Sequence, residues 1–231
     1  LLNGSTIAGR EAVQITADNV NNLMGRIQGN TVDITTKKDL NNIGGQISAQ
    51  DAMAVKVGGN LKIDTTTRPS ESQIGGLGSS TTGVDRVAGL YVGSGNKIQP
   101  NKATLVVDVA GNTVLKAAEL NNNNGAAVIN TVGNVDIGTV QTGYKLSTYR
   151  DAQNHSTSQK TQDVGSQVTS AGSLIVQGQN INGKAIQLSS QAGNIELLAQ
   201  KDIQLDNGLS QSSVDSKAEW KGSFGGKKSS T

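Results

Sequence analysis

The sequence predicts an all-β solenoid, a chain that returns to the same place about every 20 residues through two or three short strands. Three observations carry this expectation. The first is internal repetition: Val20-Asn21-Asn22-Leu23-Met24-Gly25-Arg26-Ile27 recurs as Leu40-Asn41-Asn42-Ile43-Gly44-Gly45-Gln46-Ile47, with four of the eight positions identical. Ile7, Ile27 and Ile47 keep that phase over three repeats. A unit of this size cannot bury its apolar face alone and is stabilised by stacking on copies of itself. The second observation is alternation. Val13-Gln14-Ile15, Val32-Asp33-Ile34 and Met53-Ala54-Val55 place apolar and polar residues at every other position, the period of a half-buried strand. Gly, Asn, Asp and Ser, the residues of tight turns, separate these runs. The third is composition. Aromatics are 2%, cysteine is absent and 29 of 231 residues are Gly, which suits a narrow interior filled by stacked aliphatic side chains. No run of ten or more residues has helical apolar spacing, so helical repeats are excluded, as are leucine-rich repeats, whose signature is missing.

Residues 1–66 carry the clearest coils, ending in Gly58-Gly59-Asn60-Leu61-Lys62-Ile63-Asp64. Residues 67–102 break the pattern and hold both prolines, Pro69 and Pro100; they are expected to leave the solenoid, with Gly89-Leu90-Tyr91-Val92 in a hairpin. Coils resume over 103–141, where Leu105 to Asn112 and Gly133 to Ile137 repeat a Gly-Asn turn. Residues 142–166 form a second, polar excursion; the stretch from Arg150 to Asp163 has no aliphatic larger than one Ala. Coils return over 167–207, where Leu174 and Val176 reappear as Ile195 and Leu197, and Ile181 as Ile203. Residues 208–231 lose the alternation and read as a tail, the whole forming one continuous solenoid domain. The Asn pairs at 21–22 and 41–42 and the run 121–124 are assigned to turns, where Asn tolerates left-handed backbone and bonds along a stack.

The residues that carry chemistry in other proteins are sparse. Net charge is +2 with Lys and Arg dispersed, which gives no nucleic-acid footprint. No apolar run is long enough to span a membrane as a helix. The Gly-Asn turns at 59–60, 111–112, 133–134 and 193–194 precede no helix, so a phosphate loop is not supported and structural turns are expected. Tandem calcium-binding nonapeptides are missing, and no metal ligand set is assigned. His155, the only histidine, lies in the polar excursion without a nucleophile elbow, so no catalytic residue is assigned. A solenoid glycosidase or lyase needs acids on the same face of adjacent coils. The repeat instead sets Asp18 against Lys38 and Asp33 against Ala54, and Thr31 separates Glu11 from Asp51. No cofactor is implied. Trp220 and Phe224 stand four apart among Lys217, Lys221, Lys227 and Lys228, which suits either a loose tail or a turn that touches a membrane surface. Leu1 is not an initiator Met, and the chain is read as a section of something longer.

Asn41 to Ala49, the Gly-Gly-Asn-Leu turn at 58–61, and Val168 to Val176 with Ala192-Gly193-Asn194-Ile195 resemble the haemagglutinin repeats of filamentous-haemagglutinin-like exoproteins. Asp163-Val164-Gly165-Ser166, closing the polar excursion, is similar to the second repeat region of contact-dependent-inhibition toxins. The resemblance implies a right-handed parallel β-helix in a large two-partner-secreted protein on the surface of a Gram-negative bacterium, associated with the outer membrane. It implies an outer-membrane transporter acting on parts outside this segment, a target-cell surface or outer membrane as partner, and a monomeric rod. The segment would help deliver a C-terminal toxin and would carry no catalytic residues. An adhesin segment that binds surface glycans or proteins through its excursions is the alternative, and a polysaccharide-active enzyme is the third.

Overall fold

The computed structural model describes residues 1–93, 98–221 and 227–230, with side chains through Glu219. Among the described residues every regular element is a strand. The chain divides into two compact units: Leu1–Thr66, Asp85–Val140 and Val164–Asn207 form one, and Thr67–Val84, Gln141–Asp163 and Gly208–Thr231 the other.

The first unit is built from parallel ladders between successive repeats. Each repeat offers strands at three positions. First-position strands Leu2–Asn3, Val20–Leu23, Leu40–Ile43, Leu61–Asp64, Thr113–Lys116, Val135–Gly138, Ile181–Lys184 and Ile203–Asp206 make an 8-stranded sheet in that order. Second- and third-position strands join in a 12-stranded sheet, because Arg26–Thr36 and Gln46–Val57 each run through both positions.

Register converts the sequence repeat into columns. Ile7 pairs with Ile27, Ile27 with Ile47, Ile47 with Leu90, Leu90 with Leu120, Leu120 with Val168 and Val168 with Leu188. The five inner members are at most 1% exposed, whereas Ile7 and Leu188, each with a neighbour on one side only, are partly buried. Burying a side chain of this size contributes about 1.5–3 kcal/mol. A second column runs Val13, Val32, Met53, Leu105, Ala127, Leu174 and Ile195. Such columns form one continuous apolar core.

Side-chain oxygens hold the corner before the first-position strands. Asn19 Oδ1 accepts from Asp39 N, Asp39 Oδ1 from Asn60 N, Asn60 Oδ1 from Asn112 N and Asn112 Oδ1 from Asn134 N, at 2.7–3.3 Å. Asn180 Oδ1 accepts from Asp202 N in the same way. These turns therefore satisfy a backbone donor of the next repeat, while Asn134 Oδ1 accepts from Asn180 Nδ2 instead. Gly59, Gly111 and Gly133 stand just before Asn60, Asn112 and Asn134 in these turns. Gly193-Asn194 does not belong to this series; it lies at the corner before the third position, where Asn194 O accepts from Leu174 N.

The corner after the first position has two forms. Met24, Gly44, Ala117 and Ala185 turn it at positive φ, between 45° and 57°. After Asp64, Gly138 and Asp206, in alternate repeats, the chain instead departs into the second unit's strands. That unit is one antiparallel sheet of six strands, ordered along the chain as Thr66–Ile74, Leu77–Arg86, Val140–Asp151, Asn154–Val164, Ser210–Lys221 and Lys227–Ser230. None of residues 67–84, 141–163 and 208–219 is buried.

Several expectations change. Gly89–Val92 is not a hairpin but a second-position strand, parallel to Gln46–Ala49 and to Glu119–Asn122. The break expected over 67–102 is interrupted by that short strand: an antiparallel hairpin ends at Arg86, and the next strand begins at Gln99. Residues 208–231 are not a loose tail: Ser210–Lys221 pairs with Asn154–Val164, and Lys227–Ser230 pairs back on it. Their composition misleads because a sheet exposed on both faces needs no apolar alternation. The excursions and the C-terminal segment of the sequence reading make up the second of the two compact units.

The Asn pairs at 21–22, 41–42 and 121–122 lie in strands rather than turns, whereas Asn123 and Asn124 bend between strands as expected. Asn22, Asn42 and Asn122 point inward and are at most 1% exposed. Asn3 Nδ2 donates to Asn22 Oδ1 at 2.7 Å and Asn22 Nδ2 to Asn42 Oδ1 at 2.8 Å, while Asn42 Nδ2 donates to Gly45 O and Gly89 O. A Cβ at residue 45 would collide with the Asn22 and Asn42 amides, which is why glycine closes this corner. A stacked amide supplies donor and acceptor to its copies, so it is buried at little cost.

Candidate functional site

Outward residues near the end of the third-position strands border a groove of the first unit. Thr35 pairs with Lys56, Lys56 with Asp108, Asp108 with Asn130 and Asn130 with Gln177, so five polar side chains form one row. The groove beside them has a volume of about 470 Å³. Its floor includes Gly58, Ala110 and Val132, and Val132 is 68% exposed. Asn130 Nδ2 donates to Asp108 Oδ1 at 2.9 Å. Rungs of a parallel sheet repeat every ~4.8 Å, so the row presents amide, ammonium, carboxylate and hydroxyl groups to an extended ligand. Sequence reasoning missed it because its members lie 21 to 52 residues apart; the signal was present as the polar partners of the apolar alternation.

On the second-position face, Tyr91 Oη donates to Glu119 Oε2 at 3.0 Å. Burial pushes the phenol well above its ordinary value, and the Glu119 charge and hydrogen bond push it the same way. The Tyr91 ring covers Gly89, where an added Cβ would meet its end. This pair braces the face and brings no second carboxylate.

The registers give the ladder neighbours of the acids rung by rung. Asp33 has Gln14 and Ala54 as neighbours, Asp108 has Lys56 and Asn130, Glu119 has Gly89 and Gln167, and Asp136 has Val114 and Asn182. Asp18 lies against Lys37 at 3.3 Å rather than against Lys38, since the spacing here is 19 residues. Thr31 pairs with Ala12 and Ala52, so it does not stand between Glu11 and Asp51 as the 20-residue period implied. Among the described residues no cluster of three His, Cys, Asp or Glu side chains is placed to hold a metal ion.

His155 lies in the antiparallel sheet opposite Lys217. Its Nδ1 is buried and has no hydrogen-bond partner among the described residues. It borders a recess of about 450 Å³ with Leu77, Arg150 and Lys217. Trp220 occupies the strand Ser210–Lys221, across from Lys228, whereas Phe224 lies outside the described residues. No family model, no curated protein and no solved structure matches the chain.

Proposed function

We propose that the parallel unit is a right-handed parallel β-helix and serves as a rod segment of a large bacterial surface exoprotein, the section that helps carry a C-terminal toxin into a neighbouring cell. One observation carries the structural half of this reading. Equivalent residues of successive repeats stay in register along whole columns, from Ile7 to Leu188 and from Val13 to Ile195. Stability in such an array comes from neighbouring repeats, which suits a stiff spacer. Among the described residues the ladder registers pair no two carboxylates, which weighs against a polysaccharide-cleaving site. The toxin-delivery half rests on the resemblance of the repeat motifs to haemagglutinin-repeat exoproteins. The expected setting is the surface of a Gram-negative bacterium after two-partner secretion, with the target outer membrane as partner.

The test is deletion of residues 1–231 from the parent protein, with export, attachment and killing measured separately. Export and attachment are expected to persist while toxin delivery is lost. Loss of attachment, with delivery spared in cells already bound, would replace this reading by an adhesin. The polar row from Thr35 to Gln177 favours that second reading, and a glycan array with the Asp108→Ala and Asn130→Ala variants tests it directly.

A further inference from the structure

Antiparallel hairpins exposed on both faces gain little by burial, so large apolar residues at their turns call for an explanation. The first hairpin turns at Gly75-Gly76 between Ile74 and Leu77, which are 76% and 61% exposed. Tyr149, 62% exposed, stands two residues before the second hairpin's turn. Tyr149 N donates to Gly76 O at 2.7 Å, so both turns lie at one end of the sheet. The third hairpin reaches the same end: His155 pairs with Lys217 and Glu219 N donates to Asn154 Oδ1. Beyond that point Trp220 pairs with Lys228 and Lys221 with Lys227.

Two further facts describe this end. Leu77 pairs with Thr148, which puts Leu77 and Tyr149 on opposite faces. A flat protein partner would cover one of them and leave the other in water, whereas immersion of the turn end buries both. The charge there is basic. Lys217 is paired with Glu219 at 3.6 Å, and Asp151 is engaged by Gln153 N and Asn154 Nδ2 at 2.9 Å each. In sequence, Arg150, Lys217, Lys221, Lys227 and Lys228 outnumber Asp151 and Glu219 there. Arg150, His155 and Lys217 also border the recess beside Leu77.

We propose that the turn end of the antiparallel sheet docks on a lipid bilayer bearing anionic headgroups, with Leu77, Ile74 and Tyr149 entering the interface and the Arg150–His155–Lys217 recess seating a phosphate headgroup. Exposed aliphatic and aromatic side chains ringed by Lys and Arg bind such surfaces through apolar burial together with attraction to anionic lipid. The inference stands on the hairpin unit alone and does not depend on the rod reading.

Flotation of the 231-residue chain with vesicles tests it. The bound fraction is expected to be about fivefold higher on phosphatidylglycerol–phosphatidylcholine vesicles than on phosphatidylcholine alone, and to fall with added salt. The double variant Leu77→Ser/Tyr149→Ser should cut binding about fivefold without moving the melting temperature, because both side chains are exposed. Arg150→Glu should reduce binding to anionic vesicles only, and Val214→Ser, away from the turn end, should change nothing. Equal binding to both vesicle types, or no effect of the double variant, overturns the proposal. Displacement by millimolar inorganic phosphate would replace it with a free-anion site. Concentration-dependent dimerisation that needs Leu77 and Tyr149, without vesicle binding, would replace it with a contact between two copies.

Discussion

At the residue scale, polar groups inside the first unit are tolerated because repetition brings each one a copy of itself. Asn42 accepts from Asn22 and donates to two backbone carbonyls. Asn42→Ala leaves those buried partners unsatisfied and should lower stability by about 1–3 kcal/mol, read from urea unfolding of the variant against the wild type. Tyr91 gives a pH dependence whose sign follows from its raised folded pKa. The unfolded phenol ionises near the ordinary value of 10.0 while the folded one stays protonated. The folded state then holds more protons, so stability is intact below pH 10 and is lost as pH rises beyond it. Melting curves should show this fall, and Tyr91→Phe should flatten it. Ala117 turns its corner at φ 45°. Ala117→Gly removes strain of about 1–2 kcal/mol, partly offset by the glycine's larger entropy loss, so a modest rise in melting temperature is expected.

At the scale of elements, a strand is as secure as its position in a column. Ile27 is fully buried between Ile7 and Ile47. Ile27→Asp would place an unpaired carboxylate there and should cost about 4 kcal/mol or more. An unchanged thermal transition and far-ultraviolet β signal in that variant would refute the column. The hairpins follow another logic, held by backbone pairing of strands rich in exposed or half-buried Ser, Thr and Gln. Their turns offer the accessible peptide bonds. Trypsin should therefore cut first after Arg150, beside the turn at Ala152-Gln153, and well before Lys56 or Lys62, which lie in paired strands. Early cleavage at Lys56 would show that the parallel ladders open more readily than the hairpins.

At the scale of the whole molecule, two units made from one chain bury very different amounts of apolar surface. Among the described residues all thirty clustered core side chains belong to the parallel unit, from Val13 to Ile181, and no residue of 67–84 or 141–163 is buried. Local opening follows burial. Hydrogen exchange should be faster in the hairpin strands than in the inner ladders around Ile47, Leu90 and Leu120. Comparable protection in both would mean that the hairpin unit is covered in solution.

What the sequence determined by itself is the strand type, the repeat length and much of the register. Ile7, Ile27 and Ile47 share a column because a near-constant period with two-residue alternation leaves one way to put every apolar residue inside. The pairing of Leu174 with Ile195 and of Ile181 with Ile203 follows by the same reasoning. Tertiary structure alone decided the rest. The four residues Gly89–Val92 are too short to show a period, and Gln46–Ala49 and Glu119–Asn122 on either side fix their place. Whether an Asn turns or stacks depends on the amide in the next repeat, so Asn42 was legible as a repeat and illegible as a core residue. The antiparallel sheet left no apolar signature because none of its residues through Glu219 is buried outright; its pairs join strands as distant as Leu77–Arg86 and Val140–Asp151. The polar row from Thr35 to Gln177 likewise exists only once the ladders bring separated repeats to neighbouring rungs.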